Sequence, residues 1–145
     1  MKISTKGRYA LRMLLDLAEH RADGFVALKD IAERQRISKK YLEQIVPLLT
    51  KSGLLRANRG YQGGYLLTKP ADQYTVGEIL RITEGGLAPV ACLEQDINDC
   101  PRTAECVTLP VWEGLYQAVT NYLDGLTLQD IIDRNAARNG NDYCI

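Results

Sequence analysis

The sequence predicts a mainly α-helical fold that carries one small two-stranded hairpin. Three amphipathic segments occupy residues 4–52, and two short apolar runs around a glycine-rich turn follow at 54–69. Helical periodicity returns over a longer stretch at 110–124. A helix, a short helix, a turn, a third helix and a hairpin, in that order, indicate a winged helix-turn-helix with a two-stranded wing.

The first two helices are indicated by the spacing of apolar residues. Residues 4–20 place apolar side chains three and four positions apart, with Ser4 or Thr5 positioned to cap the start of the helix. The segment "ADGF" at 22–25 breaks this helix, and residues 28–35 form a short second one.

The third helix should begin after Ser38, whose hydroxyl can cap it. We expect the helix to continue to about Ser52, before Gly53. A kink is expected near Pro47, because proline removes a backbone donor and clashes with the preceding turn.

The wing and the fourth helix are marked by turn and capping residues. Strands at 54–58 and 65–69 flank "RGYQGG", which predicts a hairpin with a glycine-rich tip. In "TVGEILRITEGG", Thr75 and Glu78 match a capping box and the two glycines end the helix.

The chain is expected to divide into four parts. Residues 1–84 form the winged helix-turn-helix, and residues 85–109 form a polar loop that contains three cysteines. Residues 110–135 hold the long helix and a short capped helix beginning at "TLQDIIDR", and residues 136–145 form a loose tail.

Charge is unevenly distributed along the chain. Residues 1–84 carry 15 Lys and Arg against 9 Asp and Glu, whereas residues 85–145 carry 3 against 9. A basic first part predicts an anionic partner for that part alone. The alternative is a small helical bundle whose charges are merely solvated.

In a winged helix-turn-helix the third helix enters the major groove, and the wing can reach the minor groove. Lysines at the start of that helix suit phosphates, Glu43 can accept from cytosine, and Gln44 can pair with adenine. The candidate DNA contacts are Lys6, Arg8, Tyr9, Ser38, Lys39, Lys40, Tyr41, Glu43, Gln44, Arg59 and Gly60.

Three cysteines lie in the polar loop, spaced C-x7-C-x5-C. Thiolates are soft ligands for iron–sulfur clusters and zinc, so the trio indicates an iron–sulfur site, a structural zinc site or a thiol switch. A site with three thiolates needs a further ligand, and an incompletely cysteinyl cluster suits a sensor. The candidates for that ligand are Glu94, Asp96, Asp99, Glu105, Thr108 and Cys144.

Catalysis is not indicated. No phosphate-binding loop is present, and no histidine lies beside a cysteine in the sequence. The single histidine, His20, is interpreted as a cation at the end of the first helix. No run suits a signal peptide or a membrane span, which predicts a cytoplasmic protein.

The segments "MKISTKGRYALRMLLDLA", "ISKKYLEQIVPLLTKSGLL" and "RGYQGGYLL" resemble the Rrf-two family of bacterial winged-helix transcription regulators. The cysteines after "EGGLAPVACL" are similar to those of its iron–sulfur cluster regulators, the IscR-type branch. This resemblance implies a homodimer on double-stranded palindromic operator DNA, with the helix at 110–124 crossing to the partner. It also implies that Glu43 discriminates between sequences and that Arg59 is the wing arginine.

For the cysteine loop, the resemblance implies an iron–sulfur cluster, 2Fe–2S in preference to 4Fe–4S, on Cys92, Cys100 and Cys106. Two departures bear on this cluster. Seven residues, in place of five, separate the first two cysteines, and Leu109 stands where the enterobacterial regulators have a histidine.

The apolar stripe expected to face the partner in the dimer consists of Trp112, Leu115, Val119 and Leu123. The function expected from the sequence is a regulator that senses iron–sulfur status and controls iron–sulfur biogenesis genes. Alternatives within the family are a nitric-oxide sensor with a 4Fe–4S cluster and a repressor of cysteine metabolism. A small iron–sulfur electron carrier is the alternative from another class.

Overall fold

The computed structural model describes residues 1–141 of the chain. Six α-helices and a two-stranded antiparallel sheet make up this part, as the sequence predicted. The elements are α1 (Thr5–Glu19), α2 (Leu28–Gln35), α3 (Lys39–Lys51), β1 (Leu55–Asn58), β2 (Gly64–Leu67), α4 (Val76–Glu84), α5 (Leu109–Asp124) and α6 (Leu128–Asn141).

Side-chain caps fix the starts of α1 and α3. The hydroxyl of Ser4 accepts from the amide of Gly7 at 3.2 Å, and that of Ser38 accepts from Tyr41 at 3.0 Å. These hydroxyls satisfy amides that have no carbonyl partner inside the helix. Both predicted starts are therefore confirmed. Pro47 lies inside α3, and the predicted kink there stays a prediction.

The capping box predicted at Thr75 is only half present. The Thr75 hydroxyl accepts from the amide of Glu78 at 3.1 Å, as expected. The carboxylate of Glu78 instead accepts from Lys69 Nζ, at 3.1 Å for each oxygen. A reciprocal box occurs at the start of α6, where Thr127 and Asp130 each bond to the other's backbone amide, at 2.9 and 3.1 Å.

The loose tail predicted for 136–145 is wrong at its start, because α6 continues to Asn141. Ala136, Ala137 and Arg138 favour a helix that has already begun, and propagation adds a hydrogen bond for each further residue. Leu128, which is fully buried, anchors the first turn of α6. Residues 142–145 of the predicted tail lie outside the described residues.

The main core lies between α1, α2, α3 and the base of the wing. The largest fully buried side chains in it are Met13, Leu14, Leu17, Ile31, Leu42, Ile45, Leu49, Tyr74, Ile79 and Leu128. A smaller apolar cluster of Val76, Leu80 and Leu87 joins α4 to α5 and α6. Burial of these faces, at about 25 cal/mol per Å² of apolar surface, is the main force that stabilises the fold.

One carboxylate is buried in this core. Asp16 on α1 is 1% exposed and accepts from Arg34 Nε at 3.0 Å and Arg34 Nη2 at 2.7 Å. Gln35 Nε2 donates a third bond, at 3.0 Å. The fork of an arginine suits a carboxylate, so this network ties α1 to the end of α2.

No helix in the described part of the chain is long and apolar enough to cross a membrane.

Candidate nucleic-acid interface and cysteine loop

The two faces of α3 differ sharply. Leu42, Ile45 and Leu49 are fully buried against the core, whereas Ser38, Lys39, Lys40, Glu43 and Gln44 are exposed. Lys39 Nζ lies 3.9 Å from Glu43 Oε1, and both side chains are more than half exposed. A pair so exposed is weak, so both groups are available to a ligand.

Two tyrosines pack at the start of α3. The rings of Tyr9 and Tyr41 lie 5.2 Å apart in an edge-to-face arrangement, and the guanidinium of Arg12 lies 5.3 Å from the centre of the Tyr9 ring. Both tyrosines are half-buried. These contacts hold the first turn of α3 beside α1, and the predicted DNA contacts of the two tyrosines stay predictions.

The beginning of α1 adds exposed positive charge near this point. Lys6 and Arg8 are exposed, and Arg8 Nη2 donates to the hydroxyl of Thr5 at 3.0 Å. Because Tyr9 follows Arg8 and contacts Tyr41, the first turns of α1 and α3 lie side by side. The sequence-predicted lysines and arginine of these two turns therefore share one region of the surface.

The wing projects from the body with its tip exposed. Strands β1 and β2 pair from Leu55 with Leu67 to Asn58 with Gly64. Arg59 and Gly60, the predicted wing contacts, are both exposed. Sequence reasoning missed Tyr61, which is the most exposed large apolar side chain in the described chain. An aromatic residue within a glycine-rich turn was the available signal.

The cysteine loop connects α4 to α5. Its secondary structure consists of a single 3-10 turn at Ala91–Leu93 and several isolated turns. Cys92, Cys100 and Cys106 are free and half-buried. Within residues 1–141 no three side chains from His, Cys, Asp or Glu lie close enough together to hold a metal ion. The structure thus places the three predicted ligands in one loop without gathering them into a site.

Local hydrogen bonds shape the second half of this loop. The amide of Cys100 donates to Asn98 Oδ1 at 3.0 Å, and the hydroxyl of Thr103 donates to the Cys100 carbonyl at 2.7 Å. Cys106 Sγ lies 3.5 Å from the hydroxyl of Thr108. This hydrogen bond, aided by the Thr108 amide, lowers the pKa of the Cys106 thiol.

The candidates for a further ligand differ in their positions. Glu94, Asp96, Asp99 and Glu105 are exposed in the loop, whereas Thr108 contacts Cys106. Cys144 lies outside the described residues. His20 ends α1, where its Nδ1 lies 2.8 Å from the Asp16 carbonyl oxygen, so its predicted position at a helix end is confirmed.

Helix α5 offers an apolar surface. Within the described chain none of its residues is fully buried. Of the predicted stripe, Trp112 and Leu115 are 36% and 42% exposed, while Val119 and Leu123 are half-buried. Leu123 packs against the small cluster formed by α4. Two apolar residues outside the predicted stripe, Val111 and Tyr122, are also exposed.

The chain matches the family model described as "Rrf2: Iron-dependent Transcriptional regulator" over residues 3–134. Protein rrf2 of Nitratidesulfovibrio vulgaris is 41% identical over 91% of this chain and 87% of its own length.

Two solved structures match the whole fold at similar levels. The structure of CymR, the global cysteine regulator of B. subtilis, has a TM-score of 0.75 and 36% identity, covering 92% of this chain and 98% of the other. The structure of IscR from T. potens has a TM-score of 0.72 and 38% identity, and the match covers 93% of this chain and 88% of the other. The first is named a regulator, and the family description is that of a transcriptional regulator, as the sequence predicted. The chain belongs to the Rrf2 family of transcription regulators.

Proposed function

We propose that this chain forms a homodimeric, DNA-binding transcription regulator that senses iron–sulfur status through the cysteine loop. One observation carries the DNA-binding part. The exposed basic residues of α1 and α3 occupy one region, and the wing arginine is exposed at the tip of a hairpin. Exposed Lys and Arg side chains retain the freedom to replace phosphate counterions.

Sequence selectivity is assigned to the exposed start of α3. Glu43 and Gln44 lie on the face opposite the buried residues of this helix, and their side chains match the hydrogen-bonding edges of cytosine and adenine in the major groove. The lysines before them would fix the register of the helix on the phosphate backbone.

Iron–sulfur sensing is assigned to Cys92, Cys100 and Cys106. The donor set fits an iron–sulfur cluster, because thiolates are its preferred protein ligands. Their loop is built of isolated turns and half-buried thiols, so the three side chains can be drawn together when metal binds, as ligands commonly are. Such a cluster, 2Fe–2S in preference to 4Fe–4S, would supply a chemically labile group whose loss reports iron or oxidant status.

Dimerisation is assigned to α5, whose exposed apolar residues would be covered by the same helix of another copy of the chain. A palindromic operator then follows from the two-fold symmetry of the dimer. The likeness to the IscR structure supports control of iron–sulfur biogenesis genes as the target function.

A second candidate is control of cysteine metabolism. The likeness to the CymR structure is as extensive as that to the IscR structure, and the three thiols are not gathered in the described part of the chain. In this case the cysteine loop would hold no cluster, and the regulator would respond to a different signal. A nitric-oxide sensor with a 4Fe–4S cluster is a variant of the first proposal.

Absorption and Mössbauer spectra of anaerobically purified full-length protein separate these proposals. The iron–sulfur proposal expects cluster bands and stoichiometric iron in the wild type and loss of both in Cys92→Ala, while Cys144→Ala tests whether the Cys144 thiol is the further ligand. Specific duplexes selected from a random pool should be bound by the same preparation. Protein that binds its selected duplex specifically, yet contains no iron after anaerobic purification and reconstitution, would favour the cysteine-metabolism candidate.

A further inference from the structure

The wing ends in a turn of four residues. The amide of Gly63 donates to the carbonyl of Gly60 at 3.0 Å, so Tyr61 and Gln62 are the two central residues of the turn. Gly60 has a φ of 121°, which side chains disfavour. A Cβ on Gly63 would lie 2.9 Å from the Gly60 carbonyl oxygen. Glycine at both ends thus allows a tight turn that pushes its central residues outward.

The base of the wing is tied to the body of the protein. Val26 and Tyr65 exchange two backbone hydrogen bonds, each of 2.9 Å, beside the four residue pairs of the two strands. The tip therefore extends from a paired base and is not part of a long unpaired loop.

Tyr61 is the outermost of these side chains. Its relative exposure is 104%, so it has no measurable burial against the rest of the described chain. A tyrosine this exposed gains nothing from burial in the folded monomer, although it presents a large apolar ring and a hydroxyl to solvent. Arg59, two residues earlier, is exposed at the same tip.

We infer that Tyr61 is a DNA contact of the wing: its ring packs on deoxyribose at the edge of the minor groove, and its hydroxyl donates to a phosphate oxygen. Tyrosine hydroxyls are among the donors that proteins direct to phosphates, and the walls of the minor groove are formed by sugars. The inference rests on the proposed DNA binding and extends it to a second kind of wing contact.

This contact differs physically from that of the neighbouring arginine. Arg59 carries a charge and would displace a counterion from the DNA, whereas the neutral phenol of Tyr61 displaces none. Removing Tyr61 should therefore weaken binding by the same factor at all salt concentrations. Removing Arg59 should weaken binding and also reduce the dependence of affinity on salt.

The test uses the full-length protein and a duplex that the wild type has selected from a random pool. Dissociation constants are measured over a range of salt concentrations for the wild type, Tyr61→Ala, Tyr61→Phe and Arg59→Ala. We expect Tyr61→Ala to bind roughly 20-fold more weakly and Tyr61→Phe roughly fivefold more weakly, the latter being the loss of one hydrogen bond. Neither Tyr61 variant should change the slope of log affinity against log salt, and Arg59→Ala should reduce its magnitude by about one per protomer.

Two further measurements keep the result interpretable. Thermal unfolding of Tyr61→Ala should match that of the wild type, because the side chain is unburied. Hydroxyl-radical footprinting, which reports sugar accessibility in the minor groove, should show a protected patch under each wing that is lost in Tyr61→Ala.

The outcomes separate this inference from the proposed function. Specific binding that is weakened by Arg59→Ala but left intact by Tyr61→Ala would overturn the inference and leave the function standing. A wild type that selects no duplex would overturn the function, and the inference with it. If the Tyr61→Phe variant binds the duplex as tightly as the wild type, the hydroxyl of Tyr61 makes no hydrogen bond to a phosphate, and that part of the inference is wrong.

Discussion

Arg81 on α4 and Asp124 on α5 form a bidentate ion pair, with Nη1–Oδ1 and Nη2–Oδ2 distances of 2.7 and 2.8 Å. The pair joins the helix before the cysteine loop to the far end of the helix after it. Two parallel hydrogen bonds fix the geometry of a guanidinium and a carboxylate better than a single contact does. The α4–α5 contact is therefore held at a point independent of the loop itself.

Replacing Asp124 by Asn should lower stability modestly and in a pH-dependent way. The Arg81 guanidinium lowers the pKa of Asp124, so the pair stabilises the fold above the ordinary aspartate pKa, and this contribution is lost as the pH falls below about 4. Since both side chains are more than a third exposed, the loss at neutral pH should be at most about 1 kcal/mol. Urea unfolding of the wild type and of Asp124→Asn, at pH 7 and near pH 3, measures the loss of unfolding free energy. Asp72→Asn, which changes an exposed acid, is the control. An equal loss at both pH values would contradict the role given to the ion pair.

DNA affinity should fall steeply as the salt concentration rises. The exposed basic residues would each contact a phosphate and release counterions, which adds about 0.9 per phosphate to the magnitude of the slope of log affinity against log salt. These residues are Lys6, Arg8, Lys39, Lys40 and Arg59. Arg59→Ala should cost about 1–3 kcal/mol of specific binding if its guanidinium enters the minor groove. Fluorescence anisotropy across a salt series checks both statements. Lys51→Ala, at the opposite end of α3, is the matched control and should change little. Salt-independent binding would exclude the proposed interface.

The protein should be a dimer held by α5. Trp112 and Leu115 are 36% and 42% exposed, and Val119 and Leu123 are half-buried in the single chain. Covering what remains exposed would contribute about 3–5 kcal/mol per protomer before the entropy of association is subtracted. Leu115→Asp should therefore yield monomers at micromolar concentration in a sedimentation experiment. Ile97→Asp, which alters an apolar residue that is 79% exposed in the cysteine loop, should leave the dimer intact. A monomeric wild type would rule out this interface.

Loss of the proposed cluster should change which DNA sequences are accepted, through Glu43. A carboxylate near base edges rejects bases that offer it no donor, and its exposed pairing with Lys39 is too weak to withdraw it from DNA. We expect Glu43→Ala to broaden the sites accepted by the Cys92→Ala form. Sequence preferences of the wild type, both single variants and the double variant measure this. If Cys92→Ala has the same sequence preference as the wild type, the cysteine loop does not control selectivity. If Glu43→Ala changes the preference of neither form, Glu43 does not determine it.

Asp16→Asn should destabilise the fold by about 1–3 kcal/mol, since a buried amide nitrogen would replace a carboxylate oxygen that accepts from Arg34 and Gln35. Chemical denaturation of the full-length protein measures the loss. Glu19→Gln changes an exposed acid on the same helix and should cost far less. Equal effects of the two substitutions would show that the buried network contributes little.

Much of the fold follows from local chemistry, which the sequence displays directly. Ser4, Ser38 and Thr75 cap helices through bonds to amides three residues away, so neighbours in the sequence suffice to predict them. Helical periodicity likewise suffices for α1 to α5.

What the sequence could not predict depends on distant contacts. The burial of Asp16 depends on Arg34, 18 residues away, and no local pattern distinguishes it from a solvated acid. Leu123 was assigned to the dimer stripe, yet it packs on its own chain because α4 lies beneath it. The positions of the three thiols depend on how an irregular loop folds, for which no periodicity exists.

The α4–α5 ion pair also has a consequence for how this family can vary. With the two helices joined outside the cysteine loop, the cost of closing that loop grows only with the logarithm of its length. Two extra residues in a loop of this size add about 0.1 kcal/mol or less. Insertions between Cys92 and Cys100 thus cost little folding free energy, so the spacing of the proposed ligands can vary with little effect on the stability of the fold. A spacing of seven residues between Cys92 and Cys100 is therefore compatible with the same fold as a spacing of five. Regulators that differ in this spacing can differ in the sensitivity of the proposed cluster.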